Sequence, residues 1–229
     1  MFSKSKKISS LNNIFDLSNE NAIVLSDICY AYDEDIIALN HFNLEIKRGL
    51  TYCLMGPNGC GKTTILKLIN GLIFPELGTY YFMGKNIDKN FLKNMKNSKS
   101  FHQRIGYVFQ NSDVQLFCGS VEEDVAFGPS QMGLSKDEIQ YRTNDCLNLL
   151  GIEHLRKRPS YHLSGGEKRK AAIASVLSLN PDILVLDEPL NALDESTKQW
   201  LTNFIISLKS SGKTIIIATH DKEFANIVS

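Results

Sequence analysis

Three short stretches are apolar at nearly every position: Thr51-Tyr52-Cys53-Leu54-Met55, Ile183-Leu184-Val185-Leu186 and Thr214-Ile215-Ile216-Ile217-Ala218-Thr219. Unbroken runs of this kind are expected of parallel strands covered on both faces. Helical patterns sit beside them, over Thr64–Ile69, Gly165–Leu179 and Asp194–Leu208. Val121 to about Leu155 is also helical, with apolar faces from Ile139, Leu147, Leu149 and Leu150 and breaks at Gly133 and Gly151. Upstream, Ala22 to Lys47 reads as two strands around a polar turn. Further strands are expected at Gly78–Gly84 and Arg104–Gln110. Lys85 to Ser100 is polar and rich in Lys and Asn, and predicts an exposed loop with one short helix.

Strands alternating with helices imply an α/β fold with a mainly parallel sheet, antiparallel strands and a helical insertion near 112–165. Residues 1 to about 20 read as a flexible extension, and 21–229 as the folded domain. At 229 residues the chain fits one large domain or two small ones. Its 25 basic and 25 acidic residues balance, so no global field favours nucleic acid or anionic lipid. No apolar run reaches the ~18–20 residues that span a bilayer. The basic start, Met1 to Lys7, leads into polar residues and lacks a secretory apolar core. Cys29, Cys53, Cys60, Cys118 and Cys146 are scattered without a Cys-x-x-Cys pair, and read as reduced thiols.

The chemistry starts at Gly56-Pro57-Asn58-Gly59-Cys60-Gly61-Lys62-Thr63-Thr64, which fits Gly-x-x-x-x-Gly-Lys-[Ser/Thr] between an apolar strand and a helix. Glycines allow a tight turn whose N–H groups face phosphate oxygens, and the positive end of the following helix adds attraction. Lys62 is expected to reach the β- and γ-phosphates of a nucleotide, and the Thr63 hydroxyl to ligate Mg²⁺. A nucleotide there is expected to shield Cys60 from alkylation.

Asp187-Glu188 ends an apolar run, at the sheet edge where open α/β sheets bind ligands. Carboxylates there need a positive partner, and Mg²⁺ suits Asp187. Glu188 is then placed to orient the water that attacks the γ-phosphate; taken alone, the pair reads more commonly as a helix N-cap. His220 ends the last buried run, where it is either structural or a sensor of the γ-phosphate. Gln110 closes its strand in the same way, as a turn residue or a neutral oxygen for Mg²⁺. Leu163-Ser164-Gly165-Gly166-Glu167 offers a hydroxyl and two glycines at a helix start, a second anion-binding end. Two such ends in one chain suggest that two chains face each other and share ATP.

With that segment the chain resembles the ATP-binding subunits of ABC transporters, over about Ile23 to Asn226. The resemblance implies a P-loop NTPase of the ABC-ATPase fold, with a parallel core, an antiparallel β subdomain and a helical subdomain. It implies that Gly56 to Thr63 form Walker A, Gln110 the Q-loop glutamine, and Ser164, Gly165, Gly166 and Glu167 the signature. Ile183 to Asp187 correspond to Walker B, Glu188 to the catalytic carboxylate, Asn191 to Asp194 to the D-loop and His220 to the switch histidine. Tyr32 matches the aromatic that stacks on adenine, with Tyr30 the competing candidate. ATP would lie between Walker A of one protomer and the signature of the other.

A narrower resemblance lies in Val108 to Phe117 and Val121 to Pro129, above all Gln115-Leu116-Phe117 and Ala126-Phe127-Gly128-Pro129. These look like the ATPases of energy-coupling factor importers for cobalt, nickel and vitamins. That family implies a homodimer or a pair with a similar ATPase, a transmembrane coupling subunit, a substrate-binding membrane component, and a place on the cytoplasmic face of the membrane. It also makes Leu116 and Phe117 candidate contacts for a coupling helix. Glu167, Asn191 and Ser112 replace the commoner Gln, Ser and Pro of the family. Relatives continue past the switch histidine with further strands, whereas this sequence ends at Ser229. The rival readings are another ABC transporter class or a soluble ABC protein. A GTPase fits less well, because Thr219-His220-Asp221-Lys222 supplies no Asn-Lys-x-Asp motif.

Overall fold

The three apolar runs lie in one parallel sheet. The computed structural model describes residues 14–33, 36–57 and 59–229. In chain order come β1 (Asn21–Ala31), β2 (Ile37–Lys47), β3 (Thr51–Met55) and α1 (Lys62–Ile69). Then follow β4 (Leu77–Phe82), β5 (Lys85–Asn86), α2 (Lys89–Lys93), α3 (Met95–Arg104) and β6 (Ile105–Val108). The remainder is α4 (Val121–Gln131), α5 (Lys136–Leu149), α6 (Gly165–Leu177), β7 (Ile183–Asp187), α7 (Glu195–Ser210), β8 (Thr214–Thr219) and α8 (Lys222–Val228).

The parallel sheet has the order β3-β8-β7-β6, and an antiparallel sheet the order β2-β1-β4-β5. Side chains of opposite parity along the central strands enter two different cores. Leu184, Leu186, Ile215 and Ile217 join the helical-segment core, while Ile183, Val185, Ile216 and Ala218 join the core under the antiparallel sheet. That double burial is why these strands show no polar alternation. Register aligns their carboxyl ends: Met55 pairs with Thr219, Asp187 with Ala218, and Val108 with Leu186. The loops leaving this edge carry the phosphate loop, His220, Glu188 and Gln110.

Side-chain caps set the boundaries of the helical segment. Ser120 accepts from the Glu123 amide to start α4, and Ser135 from the Glu138 amide to start α5. Three expectations are corrected. Of the flexible extension expected over residues 1 to about 20, residues 1–13 lie outside the described residues, whereas residues 14–20 pack on the domain: Phe15 is buried, edge-on to Phe82 at 5.1 Å, and the Asp16 amide donates to the Met83 carbonyl. The stretch expected as a loop with one helix holds two, because Asp88 and Asn94 each cap a helix and Phe101 anchors the second in the core. Leu149 is exposed while Leu147 and Leu150 are buried.

Candidate nucleotide-binding site

The loop after β3 is shaped by glycines at Gly59 (φ 83°) and Gly61 (φ 93°), in the left-handed region that a side chain disfavours. A Cβ on Gly61 would also come within 2.9 Å of the Ala38 carbonyl. Lys62 opens α1 and is 7% exposed. Its Nζ donates to the carbonyls of Gly56 at 2.7 Å and Pro57 at 3.1 Å, so the chain curls round its own ammonium. A cavity of about 490 Å³ opens here, lined by Gly59, Gly61, Lys62, Thr63 and Thr64 on one side and Tyr32, Gln110, Glu188 and Asn191 on the others. Cys60 is exposed, and Asn58 lies outside the described residues.

Of the two aromatic candidates, Tyr32 lines the cavity and Tyr30 packs behind it, edge-to-face at 5.2 Å. The Tyr32 hydroxyl lies 3.2 Å from Thr64 Oγ1, and Lys67 Nζ stands 5.8 Å from its ring centre. Half of the Tyr32 surface stays open, as a stacking platform requires.

Asp187 is buried, and burial pushes its carboxyl above the ordinary carboxylate range against the pull of hydrogen bonds from Tyr107 and Thr63. Thr63 Oγ1 donates to Asp187 Oδ2 at 3.1 Å, and the Tyr107 hydroxyl to the same oxygen at 3.0 Å. A threonine hydroxyl, a buried carboxylate and the Gln110 amide beside one cavity are hard oxygen donors, a set that fits Mg²⁺. Glu188 takes a left-handed backbone (φ 44°) directly after β7, which turns its carboxylate back over the sheet edge. Its Oε1 lies 3.6 Å from Lys62 Nζ and its Oε2 2.9 Å from His220 Nδ1. Lys62 at the start of α1 and His220 after β8 therefore flank the carboxylate of Glu188.

The signature segment is elsewhere. Ser164 caps α6, accepting from the Glu167 amide, while Glu167 Oε2 accepts from the Ser164 amide at 2.7 Å. That amide bond holds the Glu167 carboxyl below its ordinary range. A Cβ on Gly166 would meet Thr197 Oγ1 at 2.7 Å, so glycine lets the tip of α6 approach the start of α7. None of Ser164, Gly165, Gly166 and Glu167 lines the cavity of its own chain.

Two residues at this edge carried no sequence signal. Tyr107 meets Asp187 only because β6 pairs with β7. Arg169 reaches from α6 to the Phe109 and Gln110 carbonyls, a contact no local pattern announces.

Residues 39–191 match the sequence profile of the ABC transporter family. The chain belongs to this family. It is 50% identical over 202 residues to a putative ABC transporter ATP-binding protein of Clostridium acetobutylicum, covering 88% of this chain and 83% of that one. It is 49% identical over 199 residues to the nickel import ATP-binding protein LarO of Lactiplantibacillus plantarum (87% and 82% covered). The energy-coupling factor transporter ATP-binding protein EcfA of Methanococcus maripaludis is 40% identical over 203 residues (88% and 71% covered). Among solved structures, cbiO1 from Clostridium perfringens, part of the ABC transporter complex cbiONQ, superposes with a TM-score of 0.78 at 38% identity (89% and 80% covered). The dimeric, post-hydrolysis ATP-binding cassette MJ0796 bound to ADP and Pi gives 0.78 at 30% identity (90% of both chains). This ABC ATPase is thus of the energy-coupling factor type in sequence, has the fold of ABC cassettes in general, and is an ATP-hydrolysing enzyme. Among the described residues no helix is long and apolar enough to cross a membrane.

Proposed function

We propose that this ABC ATPase powers an energy-coupling factor importer, hydrolysing ATP on the cytoplasmic face of the membrane to drive uptake of a transition-metal ion, cobalt or nickel, or of a vitamin. The observation that carries the pairing is the separation within one chain of the phosphate loop from the Ser164 helix tip, which leaves each cavity lacking its second anion-binding end. A second copy, or a similar ATPase, supplies that end. The dimeric cassette bound to ADP and Pi supports this arrangement.

In the proposed site the loop amides and Lys62 hold the β- and γ-phosphates, and Tyr32 stacks on the base. Thr63, Asp187 and Gln110 would hold Mg²⁺, which supplies neutralisation of phosphate charge. Glu188 orients the attacking water, and His220 holds the Glu188 carboxylate from its far side. Ser164, Gly165, Gly166 and Glu167 of the partner protomer close over the γ-phosphate.

The membrane partner is expected beside the Q-loop. Phe117 is 65% exposed and meets Phe127 edge-on at 4.9 Å, whereas Leu116 is core. Asp124, buried, accepts from the Phe117 and Cys118 amides and so sets the turn that presents the ring. The import reading draws support from LarO, named for nickel import, and from cbiO1 as part of a transporter complex. Purification from detergent-solubilised membranes tests it. A copurifying membrane protein that retains Co²⁺, Ni²⁺ or a vitamin is expected, and a subunit recovered without any membrane protein would refute import.

A further inference from the structure

We propose that Arg169 is a positioning residue that locks the Gln110 backbone to α6, so that a subunit's own nucleotide cavity and the Ser164 tip it offers its partner move as one unit. This rests on the two-protomer reading above.

Arg169 is 3% exposed. One guanidinium nitrogen donates to the Phe109 carbonyl at 2.7 Å and the other to the Gln110 carbonyl at 2.6 Å. Its Nε is buried without a hydrogen-bond partner, and among the described residues no carboxylate lies within ion-pair distance. Asp187 supports its charge only from beyond contact. Desolvating a cation with no carboxylate in contact is costly, so its burial here is weak evidence for a purely stabilising role. What the planar fork adds is direction: two successive carbonyls gripped by one rigid group fix both the distance and the orientation of the peptide between them.

Weaker ties run in parallel. Gln115 accepts from the Phe109 amide at 3.1 Å and donates to the Ala172 carbonyl on α6 at 2.9 Å. Lys168, also on α6, pairs with Asp113 at 2.6 Å. The segment from Phe109 to Gln115 is thus held by α6 at several points, with Arg169 the only buried charge among them. Gln110 lines the nucleotide cavity, and Arg169 sits within two turns of the Ser164 cap. Nucleotide that shifts Gln110 on entering the cavity therefore reorients the tip serving the opposite site. Binding in one cavity prepares the other.

The test uses the full chain with ATP and Mg²⁺. In the unsubstituted protein, hydrogen exchange should show the segments 109–115 and 164–168 gaining protection at the same ATP midpoint, and hydrolysis should have a Hill coefficient above 1. Arg169→Gln should lower kcat about tenfold, within the cost of up to ~10²-fold for misplacing reacting groups from a distance. It should also bring the Hill coefficient to 1, with the Kd of a fluorescent ATP analogue for the dilute subunit changed less than twofold. Arg169→Lys, which keeps the charge but loses the fork, should fall between. An Arg169→Gln protein with an unchanged Hill coefficient overturns the proposal. So do different ATP midpoints for the two segments in the unsubstituted protein, a result that needs no variant to fold. If the unsubstituted protein neither pairs nor cooperates, the two-protomer reading itself fails, which is seen before any substitution is made.

Discussion

The Tyr107 hydroxyl lies 3.0 Å from Asp187 Oδ2, the same carboxylate oxygen that receives the Thr63 hydroxyl at 3.1 Å. Burial drives the Tyr107 phenol far above its ordinary range, so it is a donor at every working pH. An outer-shell donor of this kind fixes the direction in which a carboxylate offers its free oxygen. Losing it typically weakens metal binding by about 10–100-fold. Tyr107→Phe should therefore raise the Mg²⁺ midpoint for ATP-analogue binding about tenfold and leave binding without Mg²⁺ unchanged. Titrating Mg²⁺ into protein with a fluorescent analogue checks this, and coincident midpoints for both proteins would rule the role out.

Glu188 touches both Lys62, 3.6 Å from its Oε1, and His220, 2.9 Å from its Oε2. The isosteric amide of Glu188→Gln keeps the shape but cannot take a proton from water. Turnover should drop by about 10²–10⁴-fold, the usual cost of losing a positioned base. ATP affinity should survive, because Lys62 and the loop amides remain. Size-exclusion chromatography should then show an ATP-dependent dimer that persists. Hydrolysis by this variant at the unsubstituted rate would remove Glu188 from the mechanism.

What the sequence revealed follows physical rules. Residues 183–187 and 214–219 were legible because burial on both faces leaves an unbroken apolar run, and the phosphate loop because its chemistry is local. Phe15 was hidden: one aromatic in a polar stretch has no period, and its partners Phe82 and Phe91 are remote in sequence. Helices α2 and α3 are too short and polar to show a face, so only their Asp88 and Asn94 caps marked them. Leu116 and Phe117 read alike as apolar neighbours, yet a 3₁₀ turn over Ser112–Val114 sends one inward and the other out. Tyr107 and Arg169 act across strand and helix pairings that no window of sequence contains.

Cys60 offers a chemical probe of the cavity. It is the exposed thiol among the five, and it lies on the phosphate loop. Burial pushes the Cys53 thiol up, Cys118 to about 11 and Cys146 to about 12, which keeps these three protonated and slow to react. Iodoacetamide at neutral pH should therefore label Cys60 first, and saturating Mg-ATP should slow that reaction about tenfold or more, since reaction then needs the nucleotide to leave. Peptide mass spectrometry reads the site directly. A labelling rate indifferent to ATP would mean that nucleotide does not cover this loop.

His102 on α3 gives the protein a pH dependence separable from that of its carboxylates. Burial holds its imidazole below the ordinary 6.5, so the unfolded chain takes up this proton at a higher pH than the folded one. The stability tied to neutral His102 is complete above about pH 6.5 and declines as pH falls towards the folded value. Glu122 is held below its ordinary 4.5 chiefly by the hydrogen bond from Lys157, and Glu167 by the Ser164 amide. Their contributions are lost only at pH values under 4.5. Between pH 7 and pH 5 the loss of stability therefore falls to the histidine, while Asp187, raised by burial, acts in the opposite sense. Thermal unfolding of His102→Gln should show a smaller fall in midpoint across that interval than the unsubstituted protein, with the two curves running parallel above pH 7.5. A variant that loses as much as the unsubstituted chain between pH 7 and pH 5 would place the titrating group elsewhere.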